Sequence, residues 1–139
     1  MEFELFCDVE SLDLARSGAI WGNVWIDISG CSFPESNWND MPVAFLVELL
    51  DAVAYVSAAE GRRRRVRFFD GPFWIDLVGQ GVGVISISVN AHGAGRSATA
   101  SAHGVTQSLS AVRDDLVRVC LERGWGEQAD VRRLQAQHR

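Results

Sequence analysis

Lysine is absent from this chain: all 13 basic residues are arginine. With alanine, glycine and valine plentiful, that bias fits coding from a GC-rich bacterial genome. Cysteine is scarce as well, and Cys7, Cys31 and Cys120 stand far apart with no C-x-x-C spacing. An odd number of scattered thiols does not make a disulfide framework. The opening MEFELFCDVE has acids where a secretory signal needs a basic flank and an apolar run. The most apolar stretch, Met41 to Ala59, carries Glu48 and Asp51, so it reads as a buried helix rather than a membrane span. These absences point to a protein of the reducing cytoplasm, with no membrane attachment.

Reactive groups are equally sparse. The histidines are His92, His103 and His138. A zinc site from His92, His103 and a distant cysteine has no ligand spacing behind it, and surface histidine is the favoured reading. No serine lies in a G-x-S-x-G elbow, and core packing explains the cysteines. Gly79, Gly81 and Gly83 spell G-x-G-x-G, but a strand follows where a phosphate cradle needs a helix N-terminus, so a hairpin turn is expected. Asp27, Glu35, Asp40, Asp70 and Asp76 could work as an acid–base pair only if the fold brought two together; solvated or capping roles are favoured. No catalytic residue, metal ligand or cofactor is assigned, and the chain is expected to bind rather than transform.

What is present is a chain of ordinary domain size. Its 139 residues, 47% apolar and 22% charged, are enough to bury a core without staples. The net charge of −5 is unevenly spread. Residues 1–60 hold 11 acids and one base, Arg16, whereas residues 61–139 hold 7 acids and 12 bases. Such asymmetry offers an acidic surface to a basic partner unless folding interleaves the halves.

Alternation predicts a strand over Phe3, Leu5 and Cys7, then a loop or helical turn over Val9 to Gly18, then a strand from about Ile20 to Ser29. A polar loop from Cys31 leads to Pro42, with Asn39 or Asp40 placed to cap the helix that runs to about Ala59, and Gly61 stops it. A turn at Asp70-Gly71 pairs Phe68 with Phe73, Val66 with Ile75, Arg67 with Trp74 and Arg65 with Asp76; Pro72 argues for a loop wider than two residues. Gly79-Gln80-Gly81 should then turn into a strand over Val82 to Val89. Residues 90–104 are rich in glycine, alanine and serine and read as a small-residue strand near Arg96 to Ala102 or as a loop. Val105, Leu109, Val112, Leu116, Val119 and Cys120 predict an amphipathic helix to about Arg123. The expected class is α+β, an antiparallel sheet of five or six strands with two helices packed on one face, in one domain over residues 1–126 with a polar tail over 127–139.

Two surfaces carry candidate interactions. The run Arg62-Arg63-Arg64-Arg65 with Arg67, beside Phe68, Phe69 and Trp74, could serve nucleic acid or an acidic protein; a solvated strand edge with internal pairing is favoured, and nucleic acid is disfavoured by the net acidity. Glu2, Glu4, Phe6 and Asp8 fall on one strand face beside Trp21, Asn23, Trp25 and Asp27 on the next. Exposed tryptophans among acids make a hot spot for a basic protein, unless a helix, loop or tail covers them.

The segment Phe33-Pro34-Glu35-Ser36-Asn37-Trp38-Asn39-Asp40-Met41-Pro42, with Phe69-Asp70-Gly71-Pro72-Phe73 about thirty residues later, resembles a group of small bacterial proteins carrying F-P-x-x-x-W-x-D-x-P and a later D-G-P turn. Proteins of this layout are similar to the immunity partners of secreted bacterial toxins. The resemblance implies an inhibitor that neutralises a toxin by direct contact and carries over no toxin-contacting residue; the chain's own acidity points to a basic partner, and its own residues offer Glu4, Trp21, Trp25, Asp27, Trp38 and Asp40 as partner-binding candidates. The alternative is a small-molecule-binding module or enzyme with a pocket near Trp38, Asp40 and Asp70.

Overall fold

A computed structural model describes residues 3–90 and 96–137. In chain order the elements are β1 (Phe3–Leu14), β2 (Ile20–Ile28), β3 (Cys31–Phe33), β4 (Asn39–Asp40), α1 (Pro42–Ser57), β5 (Arg63–Arg67), β6 (Trp74–Gly81), β7 (Val84–Asn90), β8 (Arg96–Ser101), α2 (Ala102–Glu122) and α3 (Ala129–Ala136). The fold is α+β, as expected, but the strands form two antiparallel sheets of four rather than one of five or six. In the first sheet β2 is central, pairing with β1 on one side and with β3 and β4 on the other. The second is a meander in the order β5-β6-β7-β8.

β2 alternates without a fault. Ile20, Gly22, Val24, Ile26 and Ile28 are buried, and Trp21, Asn23, Trp25 and Asp27 take the opposite face. That period of two is the pleat itself. β1 continues past the first alternating residues to Leu14, correcting the expected loop; its register with β2 slips between Asp8 and Asp13. The Ser11 hydroxyl holds the irregular stretch, donating to the Asp8 carbonyl at 2.5 Å and accepting from the Asn23 N–H at 2.8 Å. The β5–β6 hairpin has the expected register, Val66 opposite Ile75 and Arg65 opposite Asp76. Its loop is four residues wide, Phe69 to Pro72, and the Phe68 N–H closes it on the Phe73 carbonyl at 3.0 Å.

The next turn falls two residues later than expected, at Val82-Gly83, with positive φ at Gly81, Val82 and Gly83. Gly79 stays inside β6 for another reason. A Cβ there would drive into the carbonyl oxygens of Val56 and Ala59, so only glycine lets the end of α1 close onto this strand.

α1 is buried on most of its circumference because it packs against β2, β5, β6, β7 and both other helices. Glu48 and Asp51 keep their narrow stripe in solvent. Pro42 occupies the first turn, but neither Asn39 nor Asp40 caps this helix: the N-cap is Met41, with no side-chain cap. α2 begins three residues before Val105, capped by the Ser101 hydroxyl, which accepts from the Gly104 N–H at 2.9 Å. It lies across β1 and β8. The stretch expected as a polar tail contains α3, whose Val131 and Leu134 are buried against α1 and α2. Two apolar residues three apart are enough to seat two turns of helix on a core that already exists.

All three helices share one apolar cluster with the inner faces of both sheets. Among the described residues, the side chains on the outer faces of the sheets are exposed or half-buried. No helix among the described residues is long and apolar enough to cross a membrane.

Candidate protein-binding face

Pairing of β1 with β2 brings Glu4 opposite Asp27, Phe6 opposite Trp25, Asp8 opposite Asn23 and Asp13 opposite Trp21, on the outer face of the first sheet. Four candidates read from the sequence, Glu4, Trp21, Trp25 and Asp27, therefore share one surface. The rings of Phe6 and Trp25 stack with centroids 5.6 Å apart and planes 15° from parallel. Glu4 and Asp8 are exposed, while Phe6, Trp21, Trp25 and Asp27 are half-buried. β4 extends the face through Asn39, whose amide donates to Asn23 at 3.4 Å.

The electrostatics of this face are one-sided. Among the described residues, the ion pairs lie on β5–β6, α2 and the α3 region, and none involves Glu4, Asp8, Asp13 or Asp27. Glu4 and Asp27 confront each other directly, an arrangement that costs stability. One oxygen of Asp27, Oδ1, is buried and has no hydrogen-bond donor among the described residues. A buried acceptor without a donor is a standing cost that an incoming cation or N–H would relieve.

The other two candidates belong elsewhere. Asp40 is fully buried, which removes it from any contact surface. Its carboxylate accepts from the Trp38 indole N–H (3.0 Å) and the backbone N–H groups of Met41 (2.7 Å), Phe69 (3.0 Å) and Asp70 (3.1 Å). The two halves of the F-P-x-x-x-W-x-D-x-P and D-G-P pattern are thus bolted together, Asp40 holding the start of the loop that follows β5. Trp38 packs edge-on against Phe73 at 5.1 Å, Phe33 against Phe73 and Phe68, and Phe68 stacks on Phe45 at 4.3 Å. Gly71, at φ +77, fits because a Cβ would meet the Phe73 ring at 2.9 Å. The pocket expected near Trp38, Asp40 and Asp70 is instead an aromatic cluster tied by a buried carboxylate.

A cavity of about 540 Å³ does open between α1, α2 and α3, with Asp51, Thr106, Ser110, Arg113 and Gln137 on its walls. Arg113 is buried and donates through Nε to the Leu134 carbonyl at 3.3 Å and through Nη1 to Asp114 at 2.6 Å. The sequence held a signal for it: Arg113 falls four residues after Leu109 and three before Leu116, on the apolar stripe of α2.

Of the remaining sequence features, His92 and His138 lie outside the described residues, and His103 is exposed in the first turn of α2. Among the described residues no group of three or more His, Cys, Asp or Glu side chains could hold a metal ion. The Arg65 guanidinium meets Asp76 at 2.8 Å, and Arg62 and Arg64 lie over the ring of Tyr55. Against protein-family models, curated proteins and solved structures, the chain finds no match.

Proposed function

We propose that this protein is a non-catalytic inhibitor of the immunity type, acting in the cytoplasm to neutralise a basic bacterial toxin by direct contact through the outer face of its first sheet. The observation that carries the proposal is the half-exposed Phe6–Trp25 stack set among carboxylates that have no cationic partner among the described residues. Large aromatic rings supply binding energy when a partner excludes water from them, and surrounding acids draw a basic partner in. The donor-free Oδ1 of Asp27, next to that stack, suits an arginine or lysine of the partner, which could also lie over the indole. The resemblance of the Phe33–Pro42 segment to small bacterial proteins of immunity-like layout adds support of a weaker kind, because layout alone does not assign function.

The reading expects a gene for a large secreted toxin immediately upstream of this one. Co-expression tests it: cells producing the toxic domain of that neighbour should survive only with this protein present, and Trp25→Ala should abolish protection. A lone gene in an unrelated operon, or protection that survives Trp25→Ala, would count against it.

The cavity beside Arg113 favours a second reading, a module that binds a small polar molecule, since its volume lies in the usual range for ligand sites. A thermal-shift screen with nucleotides, sugars and amino acids tests it. A ligand at about a hundred times its Kd should add roughly 2.7 kcal/mol of stability.

A further inference from the structure

Among the described residues β5 is an edge strand, paired with β6 on one side only. The Phe68 N–H bonds to the Phe73 carbonyl at 3.0 Å and the Gly79 N–H to the Arg62 carbonyl at 2.9 Å. In an antiparallel ladder, residues that exchange hydrogen bonds alternate with residues that do not. In this register the even-numbered residues of the strand face β6, so the N–H and C=O groups of Arg63, Arg65 and Arg67 point out from the sheet. None of those groups has a hydrogen-bond partner among the described residues.

The side chains of the same three residues are exposed. Arg65 reaches Asp76 and the face of Trp74, and Arg67 also lies over Trp74. Arg63 has no partner among the described residues. Arg62 and Arg64 turn to the opposite side, 4.6 and 3.7 Å from the centre of the Tyr55 ring. Asp76 is the single carboxylate paired with this run among the described residues, so most of its charge is uncompensated.

Open edges invite other strands, and like charges along an edge repel a second copy of the same strand. The same row of arginines attracts a strand of opposite charge. We propose that the free edge of β5 takes up an extended acidic segment of another protein, which adds a strand to the second sheet and lays its carboxylates beside Arg63, Arg65 and Arg67. Side chains on a strand alternate, so acids at every second position all fall on the arginine side. A groove of about 360 Å³ lined by Arg63, Arg65, Asp76 and Ser88 runs from β5 over β6 and β7 on the face that carries these arginines. The unused N–H and C=O groups select a polypeptide over a nucleic acid, because only a polypeptide continues the ladder. This edge is separate from the first-sheet face, and its test stands independently of the inhibitor reading.

The probe is a fluorescein-labelled octapeptide of alternating threonine and glutamate, titrated with the full-length protein at low salt and followed by anisotropy. Saturable binding that weakens with salt is expected, and the threonine–lysine counterpart should not bind. Arg65→Ser and Arg65→Pro remove the same charge, but only proline also removes the outward N–H, and that N–H takes no part in the β6 ladder. Arg65→Pro should bind about tenfold more weakly than Arg65→Ser. A check on the unaltered protein uses peptides N-methylated at alternate amides in each of the two phases: the phase that blocks the edge should lose binding. Equal affinity of the two Arg65 variants with both folded, no effect of N-methylation in either phase, no peptide binding at low salt, or tighter binding of a single-stranded oligonucleotide would each overturn the proposal.

Discussion

Phe6 and Trp25 stand opposite each other on β1 and β2, their rings 5.6 Å apart and nearly parallel, half-buried on the outer face of the first sheet. Stacked pairs of this kind add about 0.5–1.5 kcal/mol beyond area burial, so they hold their own geometry before a partner arrives. Two residues along, Glu4 meets Asp27, and neither has an ion-pair partner among the described residues. A rigid aromatic anchor beside uncompensated charge is an arrangement suited to binding and unfavourable for the isolated fold.

That tension has a measurable consequence. Glu4→Gln or Asp27→Asn should raise stability by roughly 0.2–1 kcal/mol in urea denaturation, by removing one of two facing charges. Glu4→Gln should also slow association with a basic partner and flatten its salt dependence, because a rim charge mainly steers encounter, whereas Asp27→Asn, at the buried oxygen proposed to meet the partner's cation, should mainly speed dissociation. Variants that lose stability and bind with wild-type rates would contradict this.

Asp40 should behave in the opposite way. Asp40→Ala leaves the Trp38 indole and the N–H groups of Met41, Phe69 and Asp70 without their acceptor. An unsatisfied donor costs on the order of 1–3 kcal/mol where water is kept out and less where it enters, and these four bonds are part-buried, so a total loss of about 2–4 kcal/mol is expected. Equilibrium denaturation reads this directly, and a loss below about 1 kcal/mol would mean that the carboxylate does not tie the two loops together.

Thiol chemistry gives a third test. Burial first, and then the charge of Asp8, pushes Cys7 up to about 12, and burial pushes Cys120 up to about 11. Both thiols stay protonated in the folded state while the unfolded chain begins to ionise near 9.0. Their contribution to stability is complete below about pH 9 and is lost progressively between there and pH 12. Ellman's reagent at pH 8 should leave Cys7 and Cys120 unmodified in the native protein and label them after denaturation; fast native labelling of either would contradict the burial.

Much of this was legible in the sequence because it rests on period. The faultless alternation of β2 placed Trp21 and Trp25 on one face and Val24 and Ile26 on the other, and apolar-to-apolar matching set the register of the β5–β6 hairpin. What period could not show was where one sheet ends and another begins. β3 and β4 are three and two residues long, too short to alternate, and they exist because β2 offers them an edge. α3 escaped because Val131 and Leu134 carry almost no signal until α1 and α2 give them a surface. Asp40 read as a helix cap or surface acid because its four donors come from its own loop and from residues 29 and 30 positions away. Gly79 looked like a turn residue, whereas its lack of a side chain serves the approach of α1.

The most direct measurement is calorimetric titration of the toxic domain encoded next to this gene with the wild-type protein and with Trp25→Ala, alongside thermal melts of both. The wild type should bind, and Trp25→Ala should cost about 2 kcal/mol of binding or more, close to thirtyfold in Kd, while its melt stays within a few degrees of wild type because the indole is only half-buried. Binding unchanged by Trp25→Ala would place the partner on another surface, and a variant that unfolds would show that Trp25 belongs to the core rather than to an open face.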